Sequence, residues 1–282
     1  MQGKRCLVTG ATSGLGRITA DALATAGAEL ILVGRNPQKT AQVCAEITAA
    51  SGNAAVTFLI ADMASFASIR AFAADFHARY DRLDVLVNNA GGYNGLREET
   101  ADGLERTFGV NHLGYFLTTL LLLPALRAAP EGRIVVVSSD GHRLGRPDFD
   151  DLNGRHDYSP LIAYCTSKLF NLHFAFDLAE RLRDTAITVN AMHPGAVATG
   201  FGNGPGWFGK LISLGRPFMR TPAKGAETIL FLATSDEVRG VTGRYFVDRK
   251  PRTPSALARD KAVAARLWTV SEELVGLRFA DS

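Results

Sequence analysis

Short runs of aliphatic residues alternate along this chain with longer stretches whose apolar positions recur every three or four residues. The runs predict strands at Arg5–Val8, Glu29–Val33, Ala55–Ile60, Leu83–Val87, Arg133–Val137, Ile187–Met192 and Gly243–Val247. The stretches between them predict helices from about Gly16 to Ala26, over Pro37–Ala50, from a Ser65 cap to Tyr80, and over Asp102–Leu126. Further helices are predicted at Tyr164, after Pro222 and over Ser255–Leu274. Strand and helix in strict alternation imply an α/β fold, a doubly wound parallel sheet of about seven strands with helices on both faces. No linker separates two compositions, so residues 1–282 are expected to form one domain.

Ligands of such sheets bind at the carboxyl ends of the strands, and there the sequence places its unusual residues. Thr9-Gly10-Ala11-Thr12-Ser13-Gly14-Leu15-Gly16 joins the first strand to the first helix. Gly10 permits a tight turn, Gly14 lets backbone amides approach a pyrophosphate, and Gly16 lets helix and strand pack closely. The helix N-terminus then offers unpaired N–H groups and the positive end of its dipole to phosphate. This is the pattern of a Rossmann-type, NAD(P)-binding fold. At the end of the second strand, Gly34 fills the slot where an acidic residue would hold a ribose 2′-hydroxyl, and Arg35 follows. A guanidinium suits a 2′-phosphate, which favours NADP(H) over NAD(H). Asp62 and Met63 close the third strand on the adenine side, and Asn88-Asn89-Ala90-Gly91-Gly92 closes the fourth with small residues that permit backbone approach.

Tyr164 and Lys168 stand four residues apart at the start of an apolar helix and so share one face. An ammonium beside a phenol favours the phenolate, lowering a tyrosine pKa from about 10 toward the range of a general acid or base. Asn111 sits inside an otherwise apolar helix, where an amide is locally unfavourable, so it must satisfy a backbone group or hold a water. Ser138-Ser139 ends the fifth strand, and His193-Pro194-Gly195-Ala196-Val197-Ala198-Thr199 closes the sixth. Gly200–Arg220 is too apolar for a solvent loop and too interrupted by Gly and Pro for a regular element. A lid over an apolar ligand is expected at about 199–221.

Composition narrows the reading. The chain has 282 residues, 46% apolar and 21% charged, with a net charge of +3 and no basic arm, so nucleic-acid binding is not suggested. Three separated cysteines, Cys6, Cys44 and Cys165, suit a reducing compartment, and no Cys/His cluster has zinc spacing. Strand-like sequence begins by Arg5, which leaves no room for a signal peptide or N-terminal anchor, and a cytoplasmic location is expected. The apolar run Tyr115–Leu126 is too short to span a bilayer and reads as a buried helix.

Together these motifs resemble the short-chain dehydrogenase/reductase family over essentially the whole chain. Thr9-Gly10-x-x-x-Gly14-x-Gly16 is similar to its cofactor motif and Asn88-Asn89-Ala90-Gly91 to its strand-four signature. Asn111, Ser139, Tyr164 and Lys168 match its catalytic tetrad in order, and Pro194-Gly195 its nicotinamide-flanking motif. The long Ser139–Tyr164 gap, Asn111-His112-Leu113-Gly114-Tyr115-Phe116-Leu117 and Arg266-Leu267-Trp268 resemble the retinol dehydrogenase and WW-domain oxidoreductase-like branch, which is also similar to protochlorophyllide reductases. Unlike many members of that branch, the chain is expected to carry no N-terminal anchor and no WW domain. The resemblance implies NADP(H) and hydride exchange with the carbonyl or alcohol of a hydrophobic substrate such as a retinoid, steroid or aromatic polyketide. It also implies that Tyr164 serves as proton donor, Ser139 as hydrogen-bond donor to the reacting oxygen, and Lys168 as tuner of Tyr164 and ligand of the nicotinamide ribose. Asn111 would hold a water. Gly10, Ser13, Gly14 and Leu15 would line the diphosphate, Arg35 would hold the 2′-phosphate, and Val197 and Thr199 would meet the nicotinamide amide. Two other readings stay open at this point: reduction of an activated C=C bond, and a silent cofactor-binding regulatory protein. Homodimers and homotetramers are common in the family.

Overall fold

The structure, a computed structural model, describes residues 1–195 and 221–282. Seven parallel strands carry the fold: β1 (Arg5–Thr9), β2 (Glu29–Gly34), β3 (Val56–Ile60), β4 (Val85–Asn88), β5 (Arg133–Val137), β6 (Thr188–His193) and β7 (Arg244–Val247). An eighth, β8 (Lys250–Arg252), pairs antiparallel with β7, so the sheet order is β3-β2-β1-β4-β5-β6-β7-β8. The sequence reading of about seven strands misses β8 for a physical reason. Its turn is made by Asp248 (φ +52) and Arg249 (φ +61), which carry no Asn-Gly or Asp-Gly signal, and Pro251 lies within the strand. Such a proline is tolerated because β8 is an exposed edge.

Helices cover both faces. On one side α1 (Gly14–Thr25), α2 (Pro37–Ser51) and α7 (Pro222–Thr234) bury Leu23, Val43, Ile47, Ile229 and Leu232 against alternate strand residues such as Val8 and Val87. On the other, α3 (Phe66–His77), α5 (Gly114–Arg127), α6 (Pro160–Arg181) and α8 (Lys261–Val275) bury Phe72, Leu120, Leu172, Leu267 and Trp268 against Leu7, Leu86 and Ile134. Strands buried on both faces read as continuous apolar runs, as β1, β2 and β5 do.

The helix expected over Asp102–Leu126 begins instead at Arg106, because the Glu105 carboxylate caps it, accepting from the N–H groups of Thr107 (2.8 Å) and Phe108 (2.7 Å). It opens as α4 (Arg106–Phe108), swells into one π-helical turn at Gly109–Leu113 and continues as α5. The Arg106–Arg127 rod is long and apolar enough to cross a membrane, but most of it is buried in the core of the protein. At the C-terminus α8 starts at Lys261 rather than Ser255, since the Asp260 carboxylate accepts from the N–H groups of Ala262 and Val263.

The order of connection reverses beside β1: β2 and β3 lie on one side, β4 and β5 on the other. A crevice opens at the carboxyl ends of β1 and β4, the usual place for a ligand in such sheets. A buried hydroxyl fixes the two edges of that crevice. Thr9 Oγ1 donates to the Val87 carbonyl (3.2 Å) and accepts from the N–H groups of Asn89 (2.9 Å) and Ala90 (3.0 Å). Thr9→Val keeps the shape but leaves two amides without a partner, and each such loss costs roughly 1–3 kcal/mol. The variant should therefore unfold at lower urea concentration than the native protein; coincident midpoints would refute the role of Thr9.

Candidate active site

The crevice is a cleft of about 930 Å³. Its floor is backbone. Gly10 (φ +67) turns the chain so tightly that a Cβ there would lie 2.8 Å from Ala90 Cα, and a Cβ on Gly16 would overlap the Gly10 carbonyl oxygen. Asn89 is turned inward and donates to the carbonyl of Thr9 at 2.8 Å, so its amide braces the glycine turn although the residue also lines the cleft. Ser13 occupies the N-cap of the twelve-residue α1, and its hydroxyl makes no capping hydrogen bond. The first-turn N–H groups beyond it remain available to an anion. A dinucleotide diphosphate fits this cradle.

Sixteen residues expected at the site from sequence meet in the cleft wall. They are Gly10, Ser13, Gly14, Leu15, Arg35, Asp62, Met63, Asn89, Ala90, Gly91, Asn111, Ser139, Tyr164, Lys168, Pro194 and Gly195. Gly16 lies behind the wall, where its role is the close approach just described. Val197, Thr199 and all of the expected 199–221 lid but Thr221 fall outside the described residues. At the far end of the cleft, a Cβ on Gly34 would overlap Thr40 Oγ1 and lie 2.7 Å from Thr12 Cγ2, so no acidic side chain fits that slot. Arg35 beside it is exposed and makes no ion pair among the described residues.

At the opposite end the polar side chains converge. Lys168 is 4% exposed and donates from Nζ to the Val137 carbonyl at 3.1 Å, with its ammonium nitrogen 5.8 Å from the centre of the Tyr164 ring. Ser139 Oγ accepts the Gly141 N–H at 3.1 Å and hydrogen-bonds to Tyr164. The Asn111 amide spans the site: Oδ1 accepts the Gly92 N–H (3.0 Å), while Nδ2 donates to the Gly92 carbonyl (2.9 Å) and to Ser167 Oγ (3.0 Å). Ser167 in turn donates to the Tyr164 carbonyl at 2.7 Å. The π turn explains how an amide sits at ease inside that helix, since such turns recur where a helix serves a site. Both Asn111 N–H groups are committed to protein, so a water could meet this side chain only through the second lone pair of Oδ1.

The electrostatics differ from the sequence expectation. Burial pushes the Tyr164 phenol well up from its ordinary value, and the Ser139 hydrogen bond offsets only part of that rise. Burial likewise pushes Lys168 down from 10.5 to about 7. The ammonium that was to lower Tyr164 faces the Val137 carbonyl, and desolvation of both groups outweighs their mutual attraction. The arrangement keeps the proton on tyrosine near neutral pH.

Sequence reasoning passed over four polar residues here. Thr9 and Ser167 fix Asn89, Asn111 and Tyr164 as described. Asp140 accepts from Tyr245 Oη at 2.9 Å and lies 3.7 Å from His193 Nε2. Thr9, at the head of the glycine motif, Ser167, inside the Tyr-x-x-x-Lys motif, and His193, beside Pro194-Gly195, carried a positional signal; Asp140 did not. Among the described residues no cluster could hold a metal ion.

Fold and cleft define a dinucleotide-binding α/β protein with an acid group at one end of its ligand. Residues 4–204 match the family model described as short chain dehydrogenase, and the chain belongs to that family. It is an oxidoreductase of CH–OH and C=O groups that uses a nicotinamide cofactor. It is 43% identical to retinol dehydrogenase 14 of Homo sapiens, covering 98% of this chain and 88% of that one. It is also 43% identical to polyprenol dehydrogenase of Mus musculus, covering 99% and 86%. Among solved structures, an uncharacterized protein from Mycobacterium Paratuberculosis superposes with a TM-score of 0.80 at 33% identity, over 99% of this chain and 95% of that one. A short chain dehydrogenase from Shigella flexneri 2a str. 301 complexed with NADP does so at 0.71 and 27%, over 89% and 98%.

Lys168 makes stability depend on pH. Its folded pKa lies below its unfolded value, so between about pH 7 and 10.5 the unfolded chain holds a proton that the folded chain has released. Folding stability therefore gains from rising pH across that window. Lys168→Met should remove this contribution, seen as a flatter dependence of the urea midpoint on pH between 7 and 10 than the native protein shows. Parallel curves would contradict the buried, easily deprotonated lysine.

Proposed function

We propose that this protein is an NADP(H)-dependent carbonyl reductase or alcohol dehydrogenase acting on a hydrophobic, isoprenoid-like substrate. One observation carries the chemistry: the Ser139 hydroxyl, the Tyr164 phenol and the buried Lys168 converge at one end of a cleft whose other end is fitted for a dinucleotide. NADPH, when bound, supplies hydride to the carbonyl carbon. Tyr164 gives its proton to the carbonyl oxygen. Ser139 accepts the Gly141 N–H, which leaves its own O–H to donate, so it stabilises negative charge as it grows on the same oxygen. Lys168 faces Tyr164 from one turn along α6 and, in its charged form, favours the phenolate left behind and so eases departure of that proton. Asn111, held on both sides of Gly92, keeps Ser167 and the Tyr164 main chain in register.

The preference for NADP(H) rests on the Gly34–Arg35 pair. A closed acidic slot removes the ribose-diol contact, and a guanidinium at the cleft edge, without an ion pair among the described residues, offers charge-assisted hydrogen bonds to a 2′-phosphate. The NADP complex of the Shigella flexneri relative supports the same reading. The retinol and polyprenol dehydrogenases similar to this chain support an apolar, unsaturated alcohol or aldehyde.

The test is NADPH oxidation with retinal, farnesal, aromatic ketones and enones, with product analysis separating C=O from C=C reduction. Tyr164→Phe should abolish turnover and leave NADPH affinity within about twofold, because only the proton donor is lost; turnover in that variant would overturn the mechanism. Arg35→Asp should weaken NADPH by the roughly 1.5–3 kcal/mol of a charged hydrogen bond, with repulsion of the phosphate adding to the loss, and should spare NADH. An unchanged ratio of the two dissociation constants by titration calorimetry would show that Arg35 faces solvent.

A further inference from the structure

His142 lies three residues past Ser139 and is fully buried, in the short 3-10 turn Asp140–Leu144 that follows β5. Its ring packs edge-to-face on Tyr245 of β7, with centroids 5.4 Å apart. Nδ1 is 2.8 Å from the Ser139 carbonyl oxygen, and Nε2 is 3.1 Å from the backbone nitrogen of Ser255, beyond β8. A carbonyl only accepts and a backbone N–H only donates. Both contacts are hydrogen bonds in one protonation state alone: proton on Nδ1, lone pair on Nε2. An imidazolium would turn a second N–H against the Ser255 N–H, and the other neutral tautomer would lose both bonds.

The Ser139 carbonyl also accepts the backbone N–H of His142 at 3.0 Å, so two donors hold that one oxygen. The serine hydroxyl oxygen accepts the Gly141 N–H from the same turn. Ser139 is thereby fixed at its main chain and at one lone pair, and its hydroxyl hydrogen-bonds to Tyr164. We propose that His142 is a positioning residue for Ser139, a neutral Nδ1–H imidazole that ties the serine turn to the Ser255 segment and sets the direction in which the hydroxyl donates. Burial, the largest influence, holds the imidazole below its ordinary pKa. Of the nearby charges, Arg143 acts in the same sense, while Asp140 and the hydrogen bond to Ser139 oppose it. Tyr245, the titratable group packed on the ring from β7, is buried and stays protonated. The inference rests on the reductase reading for what Ser139 does, but the state of the ring does not.

Nitrogen-15 NMR of the histidines at pH 7, with His142→Asn used for assignment, tests the ring itself. A neutral Nδ1–H tautomer is expected; an Nε2–H tautomer or an imidazolium would overturn the proposal whether or not the protein turns over any substrate. His142→Asn and His142→Gln then separate positioning from filling space. The asparagine amide reaches the place of Nδ1 and restores the donor to Ser139; the glutamine amide reaches the place of Nε2 and restores only the contact with Ser255. With retinal as probe, kcat of His142→Asn should stay within about threefold of native, while His142→Gln loses roughly 10- to 100-fold, the scale on which small misplacements act. NADPH affinity and melting temperature should be alike in the two variants. Equal kcat in both would overturn the positioning role. A native protein inert toward the whole panel but showing the Nδ1–H tautomer would count against the reductase reading and leave the hydrogen-bonded turn standing.

Discussion

The cleft depends on how closely the turn after β1 approaches the end of β4. At Gly10 and Gly16 one additional carbon would collide with main chain, where no side chain can swing aside to relieve it. Thr9 and Asn89 hold that approach from inside with four hydrogen bonds between the two strand ends. Because the approach is so close, the N-terminus of α1 opens directly onto the cleft, and the diphosphate end of the site can be made of peptide groups alone. Backbone donors fixed in this way need no reorganisation when an anion arrives.

The chemical end follows the opposite rule, since side chains do the work and are held by main-chain groups and by neighbouring side chains together. Ser139 is held by Gly141 and His142, Tyr164 by Ser167, Asn111 by Gly92, and Lys168 by the Val137 carbonyl. Burial then governs protonation. Two titratable groups withdrawn from water side by side each drift toward the neutral form, tyrosine upward and lysine downward. A pairing argument drawn from sequence sees only the attraction between opposite charges and misses the larger cost of desolvating both.

Much of this was legible in the sequence. Seven strands and their order of helices follow from alternating apolar runs, and the glycine turn, Arg35, Asn111, Ser139, Tyr164 and Lys168 announce themselves by residue type and position. What remained hidden is of three physical kinds. β8 has a turn of Asp248 and Arg249 in a conformation that glycine and asparagine usually mark. The starts of the Arg106 and Lys261 helices depend on Glu105 and Asp260 as caps, and nothing in residue type alone separates these two from the other acidic residues of the chain. Thr9 acts through Asn89 and Ala90, Ser167 takes its place from Asn111, 56 positions away, and His142 ties its near neighbour Ser139 to a distant segment, so spacing alone does not show what they do. His142 meets Ser255 across 113 positions.

That last distance bears on how the fold serves the site. The sheet places Ser139 at the end of β5, but a strand end alone leaves a serine free to change its main-chain torsions. The C-terminal part of the chain removes that freedom: Ser255 reaches His142, Tyr245 of β7 reaches Asp140, and Ser271 of α8 reaches His112 on the π turn beside Asn111. Ser139, proposed to meet the reacting oxygen, and Asn111, which holds the Tyr164 main chain through Ser167, are thus braced by contacts that form only once the last elements have packed. The part of the chain that lines the cleft least therefore decides how sharply its polar groups are aimed.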